Sequence, residues 1–183
     1  EEERIKLCKI KVPIQTYAYM ATIADVEVEG EDNMDVDEGS RTELDSHANM
    51  PVVGRNAYII SDTGRVADVS PFTPNYASMQ IRIVDAAVQY DCPYDGESYI
   101  LVMWNTLYVP SMKNNLLPPF ILRQAGIKLN DTPKIQVDAP TVEEHSIMFP
   151  ETGFRIPLSL CGTFSYFPTC KLTATTMQES HEI

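Results

Sequence analysis

Residues 80–109 constrain the fold more than any other stretch of the chain. From Gln80 to Tyr90, the apolar Ile81, Ile83, Ala86 and Val88 interleave with polar residues such as Arg82 and Gln89. Alternation of this kind puts one side of an extended strand into a core. Asp91 to Glu97 reads D-C-P-Y-D-G-E, a turn, and Ser98 to Val109 is a long apolar run. Two such runs around a short turn predict an antiparallel hairpin. Thirteen Pro against eight Gly, with many Val, Ile, Thr and Tyr, also favour strands and turns over helices. The expected class is all-β. At 183 residues the chain has room for one domain with appendages and a sizeable core.

The remaining segments are read from the same signals. Ile5 to Ile23 is a basic start followed by a strand-like run. Ala24 to Arg41 is crowded with carboxylates, too charged to join a core, and reads as a disordered linker. The division predicted is therefore an extension and linker over 1–41, a folded domain over 42–137, and a C-terminal hairpin extension and tail over 138–183. Ala57–Ile60 and Arg65–Val69 read as strands around an S-D-T-G hairpin turn. Ser70 to Ser78, S-P-F-T-P-N-Y-A-S, reads as a projecting loop. Asn114 to Gly126 predicts one short helix with Pro in its first turn and Gly126 as its stop. Ser146–Phe149 and Phe154–Ile156 flank a P-E-T-G turn and predict a second hairpin. From Thr169 onward the chain reads as frayed.

The formal net charge of −12 argues against direct contact with a nucleic-acid backbone. No apolar run approaches the ~18 residues of a membrane span. Cys8, Cys92, Cys161 and Cys170 form no C-x-x-C pair and read as thiols in a reducing, cytoplasmic compartment. A chain opening on Glu-Glu-Glu, with neither a signal peptide nor an initiator Met, is expected to be a piece of a longer polypeptide.

The stretch richest in chemistry is Thr42 to Gly54, T-E-L-D-S-H-A-N-M-P-V-V-G. An apolar residue leads into Asp45-Ser46-His47-Ala48, and Val52-Val53-Gly54 follow. A carboxylate in such a loop can activate water, and a neighbouring hydroxyl can brace it. The plainer reading is a polar turn between strands. Asp62-Thr63-Gly64 also carries an Asp, but its flanks, Ser61 and Arg65, are polar. His145 and His181 read as solvated.

Downstream stand Leu107-Tyr108-Val109-Pro110, Asn115-Leu116-Leu117 and a short helix ending at Ala125-Gly126. With the D-S-x-A loop, this order resembles the retropepsin domain of copia-type retrotransposon polyproteins, over Thr42 to about Lys134. The resemblance implies a retropepsin-like β-barrel with one short C-terminal helix, and an aspartic endopeptidase that processes its own polyprotein. It implies Asp45 as the catalytic residue, with Ser46, His47 and Ala48 completing the active-site loop. Leu116 and Leu117 would brace the site, and a flap bearing Phe72, Thr73, Asn75 and Tyr76 would cover the substrate. One such loop per chain implies a homodimer with one Asp45 from each subunit; no cofactor or metal is implied. His47 stands where the family pattern has Gly, and Pro118 where many members have Gly. His47 favours an alternative, an inactive retropepsin-like module for dimerisation or peptide binding. A third possibility is a metal hydrolase built on Asp45 and His47, with His145 beside Glu143 and Glu144.

Overall fold

The computed structural model describes residues 6–10, 17–20, 40–71, 77–179 and 181–182. In chain order these form β1 (Lys6–Ile10), β2 (Tyr17–Met20), β3 (Ser40–Leu44), β4 (Val52–Val53) and β5 (Tyr58–Pro71). Then come β6 (Met79–Asp91), β7 (Ser98–Tyr108), β8 (Asn115–Leu117) and α1 (Pro119–Gln124). The C-terminal part holds β9 (Lys128–Asn130), β10 (Ser146–Met148), β11 (Arg155–Pro157), β12 (Ser159–Cys161), β13 (Phe164–Thr169), α2 (Ala174–Glu179) and β14 (His181–Glu182). The fold is all-β, with two short helices among the described residues.

The predicted hairpin is its spine. β6 and β7 pair antiparallel from Asp91↔Ser98 to Ile83↔Leu107. The apolar alternation of β6 changes phase between Ile83 and Ala86, and a bulge falls there, between Val84 and Ala86. Opposite it, Asn105 takes a left-handed φ of 56°. A bulge gives one strand an extra residue and lets both phases keep their apolar side chains buried. The larger sheet runs β12-β13-β3-β8-β4-β7-β6-β5-β2, and β1 lies parallel to the N-terminal half of β7. The smaller sheet is β11-β10-β9. Its β10–β11 pairing, Ser146↔Pro157 to Met148↔Arg155, is the second predicted hairpin.

One core lies between the two sheets. Leu44, Val53, Val84, Val88, Leu101, Leu117, Ile121 and Leu122 from the larger sheet and α1 meet Ile147, Ile156 and Leu158. Aromatic rings finish it: Tyr99 stacks on Phe154 with centroids 3.7 Å apart, and Tyr90 meets Phe167 edge-on at 6.0 Å. A second cluster, with Met50, Val52, Ile83, Leu107, Met112 and Leu116, forms separately. Residues 138–183 thus share the core of residues 42–137, and β13 pairs directly with β3, Tyr166↔Glu43 to Thr169↔Ser40.

Several expectations are corrected. Asp62-Thr63-Gly64 is not a hairpin turn but a bulge within the continuous strand β5. Its turn chemistry is local: Asp62 Oδ1 accepts from Gly64 N–H at 2.9 Å and Thr63 Oγ1 donates to the Ile83 carbonyl at 2.6 Å. The strand resumes because Ala67 and Val69 are fully buried beyond it. The tail after Thr169 is not frayed: Leu172 is buried against Ala87, Ile100 and Val102, and α2 follows. Thr173 caps that helix, its Oγ1 accepting from Thr176 N–H at 3.2 Å. His145 is not solvated but buried, with Nε2 2.8 Å from Ser165 Oγ. Ser146 and Ile147, which follow it, are buried as well and draw the chain inward past the acidic Glu143 and Glu144. The predicted helix is shorter than the 114–126 span, because Asn115–Leu117 is a strand. Gly126, at φ 80°, closes α1 by donating its N–H to the Arg123 carbonyl. Of the linker predicted from Ala24 to Arg41, residues 24–39 lie outside the described residues, as do the flap residues Phe72, Thr73, Asn75 and Tyr76, while Ser40 and Arg41 are not linker but the start of β3.

Candidate functional site

The Asp45 loop connects β3 to β4, yet those strands are not neighbours. β8 is inserted between them, parallel to β3 (Thr42↔Asn115 to Leu44↔Leu117) and antiparallel to β4 at Val52↔Leu116. β4 in turn runs parallel to β7 at Val52↔Leu107 and Val53↔Tyr108. The D-S-x-A and N-L-L motifs, far apart in sequence, are therefore adjacent in space. Asp45 N–H donates to the Leu117 carbonyl at 3.2 Å, which pins the first residue of the loop to β8. Leu117 and Leu44 enter the core between the sheets, and Leu116 enters the second cluster. The loop thus has apolar support on both sides of the larger sheet.

The Asp45 side chain is only 11% exposed. Its Oδ1 accepts from His47 N–H at 2.8 Å, the contact a glycine at that position would supply. His47 keeps a negative φ, so no glycine is required there. The imidazole itself is 73% exposed, with Nδ1 3.9 Å from Asp45 Oδ1 and 3.4 Å from Ser46 Oγ. Ser46 is exposed and Ala48 is buried. Asp45 Oδ2 is buried and has no hydrogen-bond partner among the described residues.

No family model, no curated protein and no solved structure matches the chain.

Around the loop, β3 carries a buried acid. Glu43 Oε1 accepts from Arg41 Nε at 2.6 Å and from Asn114 Nδ2 at 3.2 Å. That hydrogen bond raises the Arg41 guanidinium above its ordinary range, and Arg41 lies over the Tyr166 ring at 5.2 Å. Asp62 is 43% exposed and paired with Arg82 at 2.9 Å, an ordinary surface ion pair. Among the described residues no three His, Cys, Asp or Glu side chains are grouped to hold a metal, so Asp45, His47, Glu143, Glu144 and His145 form no such set. No helix among them is long and apolar enough to cross a membrane. A cleft of about 430 Å³ opens elsewhere, walled by Tyr94, Asp95, Tyr99, Phe154 and Arg155 and not by the Asp45 loop.

Sequence reasoning quoted Thr42, Gly54 and Asn115 within its motifs but gave them no role of their own. Asn115 is fully buried; its Oδ1 accepts from Gly54 N–H at 3.0 Å and its Nδ2 donates to Thr42 Oγ1 at 3.3 Å. A Cβ on Gly54 would lie 2.2 Å from the Met112 carbonyl oxygen, so only glycine fits. The signal available was an amide side chain directly before two leucines, since a polar group in an apolar strand must find partners.

Proposed function

We propose that the chain is a retropepsin-like aspartic endopeptidase that hydrolyses peptide bonds of its own retrotransposon polyprotein. It works as a homodimer, with one Asp45 from each subunit on a shared water. The observation that carries this reading is the Asp45 carboxylate: Oδ1 is fixed by a backbone N–H, while Oδ2 is buried with no donor among the described residues. A buried acceptor is costly unless it meets a proton. Water, or a proton shared with a second carboxylate, supplies one. Two carboxylates a few ångströms apart hold one proton between them, so one acts as base on water and the other polarises the scissile carbonyl.

Among the described residues a single chain offers one such loop, since Asp62 sits in a strand bulge against Arg82. The second carboxylate then comes from a second copy across a two-fold axis. In this reading the β3–β8–β4–β7 arrangement is the barrel core, and Phe72, Thr73, Asn75 and Tyr76 belong to the flap. The His47 backbone contact supports the active module over the inactive one, because the substitution keeps the N–H that the loop needs.

The test is hydrolysis of a peptide library by the wild-type chain and by Asp45→Asn, measured across a dilution series. Cleavage is expected in the wild type alone, with specific activity falling as the dimer dissociates. Equal activity in Asp45→Asn, or activity independent of concentration in a demonstrated monomer, would refute the assignment.

A further inference from the structure

We infer that Asn115 is a positioning residue for Asp45, an inference that rests on Asp45 being the reacting carboxylate. Thr42 lies on the strand entering the loop and Gly54 directly follows the strand leaving it. Between them runs β8, and the Asn115 amide reaches both ways from it: carbonyl to Gly54 N–H, NH₂ to Thr42 Oγ1. On the same short strand the Leu117 carbonyl takes the Asp45 N–H. One three-residue strand therefore holds the entry, the first residue and the exit of the loop.

The exit is held on its other side as well. Gly54 is pressed against the Met112 carbonyl, and Arg55 N–H donates to that same oxygen at 2.9 Å. The strand ends bracketing the loop are thus set apart by the width of β8 plus one amide, with no slack towards Met112.

The side-chain chemistry is selective. The site needs an acceptor for the Gly54 N–H on one side and a neutral partner for the Thr42 hydroxyl on the other, at the length of a single methylene. Asp could accept from both groups if the Thr42 hydroxyl turned to donate, but only by burying a charge; Gln is too long, and Leu would leave the Gly54 N–H and the Thr42 hydroxyl unsatisfied at full burial. A residue kept only to fill space here would be apolar, as Leu116 and Leu117 are. A fully satisfied buried amide rigidifies its surroundings, and a carboxylate that must align with a water and a partner is sensitive to small displacements.

The experiment uses the full chain and two variants, Asn115→Ser and the near-isosteric Thr42→Val. Thr42→Val removes only the acceptor for the Asn115 NH₂. Three quantities are read: cooperative unfolding, the backbone amide NMR signals of Asp45 and His47, and peptidase kcat and KM. Thr42→Val is expected to fold, to shift both amide signals and to lower kcat by roughly tenfold with KM changed less than about twofold. Thr42→Ser, which restores a hydroxyl, should recover both. The inference is overturned if the folded variants leave the loop amides and kcat at wild-type values, or if Thr42→Val and Asn115→Ser both simply fail to fold. A wild type without peptidase activity would sink the proposed function alone, because the amide signals still decide whether Asn115 positions Asp45.

Discussion

Replacing Phe167 with alanine tests whether the C-terminal segment is part of the folding unit. Phe167 lies on β13, is 1% exposed, and its ring meets Tyr90 in the core between the sheets. Truncating a fully buried phenyl typically costs about 3–5 kcal/mol, counting lost transfer energy and the cavity left behind. The edge-on contact with Tyr90 places this site toward the upper half of that range. Against a domain stability of roughly 5–15 kcal/mol, the loss is about a quarter of the total or more. With a urea slope of about 2 kcal/mol/M, the unfolding midpoint should fall by about 2 M. Phe164→Ala on the same strand is the control: Phe164 is 46% exposed, and its truncation should cost less than about 1 kcal/mol. The assay is urea denaturation followed by both fluorescence and far-UV circular dichroism. Coincident, shifted transitions are expected for Phe167→Ala. A midpoint within error of wild type, or a separate early transition that leaves the main one unmoved, would refute the shared core.

Gly54→Ala should destabilise by about 3 kcal/mol, the upper end for overpacking, because its Cβ meets a backbone carbonyl rather than a movable side chain; thermal denaturation reads this. Burial holds the His145 imidazole below its ordinary value of 6.5. The unfolded chain therefore binds the proton first as pH falls, and stability present above pH 6.5 is lost from there down through the lower folded-state value. His145→Asn, which tolerates the positive φ, should flatten that part of the stability–pH curve, and an unchanged slope would show that His145 is not its source. His47→Gly should leave kcat/KM within about twofold, since the exposed imidazole adds only a screened contact while the backbone N–H remains. A much larger loss in steady-state assays would mean that the imidazole takes part.

The residues alone settled what is local. Alternation with a period of two, interrupted by D-C-P-Y-D-G-E and P-E-T-G, was enough for the β6–β7 and β10–β11 hairpins, since strand facing and turn geometry depend on near neighbours. Asp45 stood out as a candidate because its flanks and its distance from Asn115-Leu116-Leu117 are themselves sequence features. The bulge at Asp62-Thr63-Gly64 was misread because a bulge and a hairpin turn use the same residues, and only the burial of Ala67 and Val69 decides between them. Nor was the order β13-β3-β8-β4-β7 legible. A three-residue strand such as Asn115–Leu117 is too short to show a period, and its neighbours are chosen by which apolar faces can be covered together. The tertiary structure alone placed a polar amide between Thr42 and Gly54, turned the His47 imidazole outward while its N–H faced Asp45, and left Asp45 Oδ2 buried with no donor among the described residues. These depend on distances between segments that meet only when the sheet is assembled, and such distances are not written in the spacing of residues along the chain.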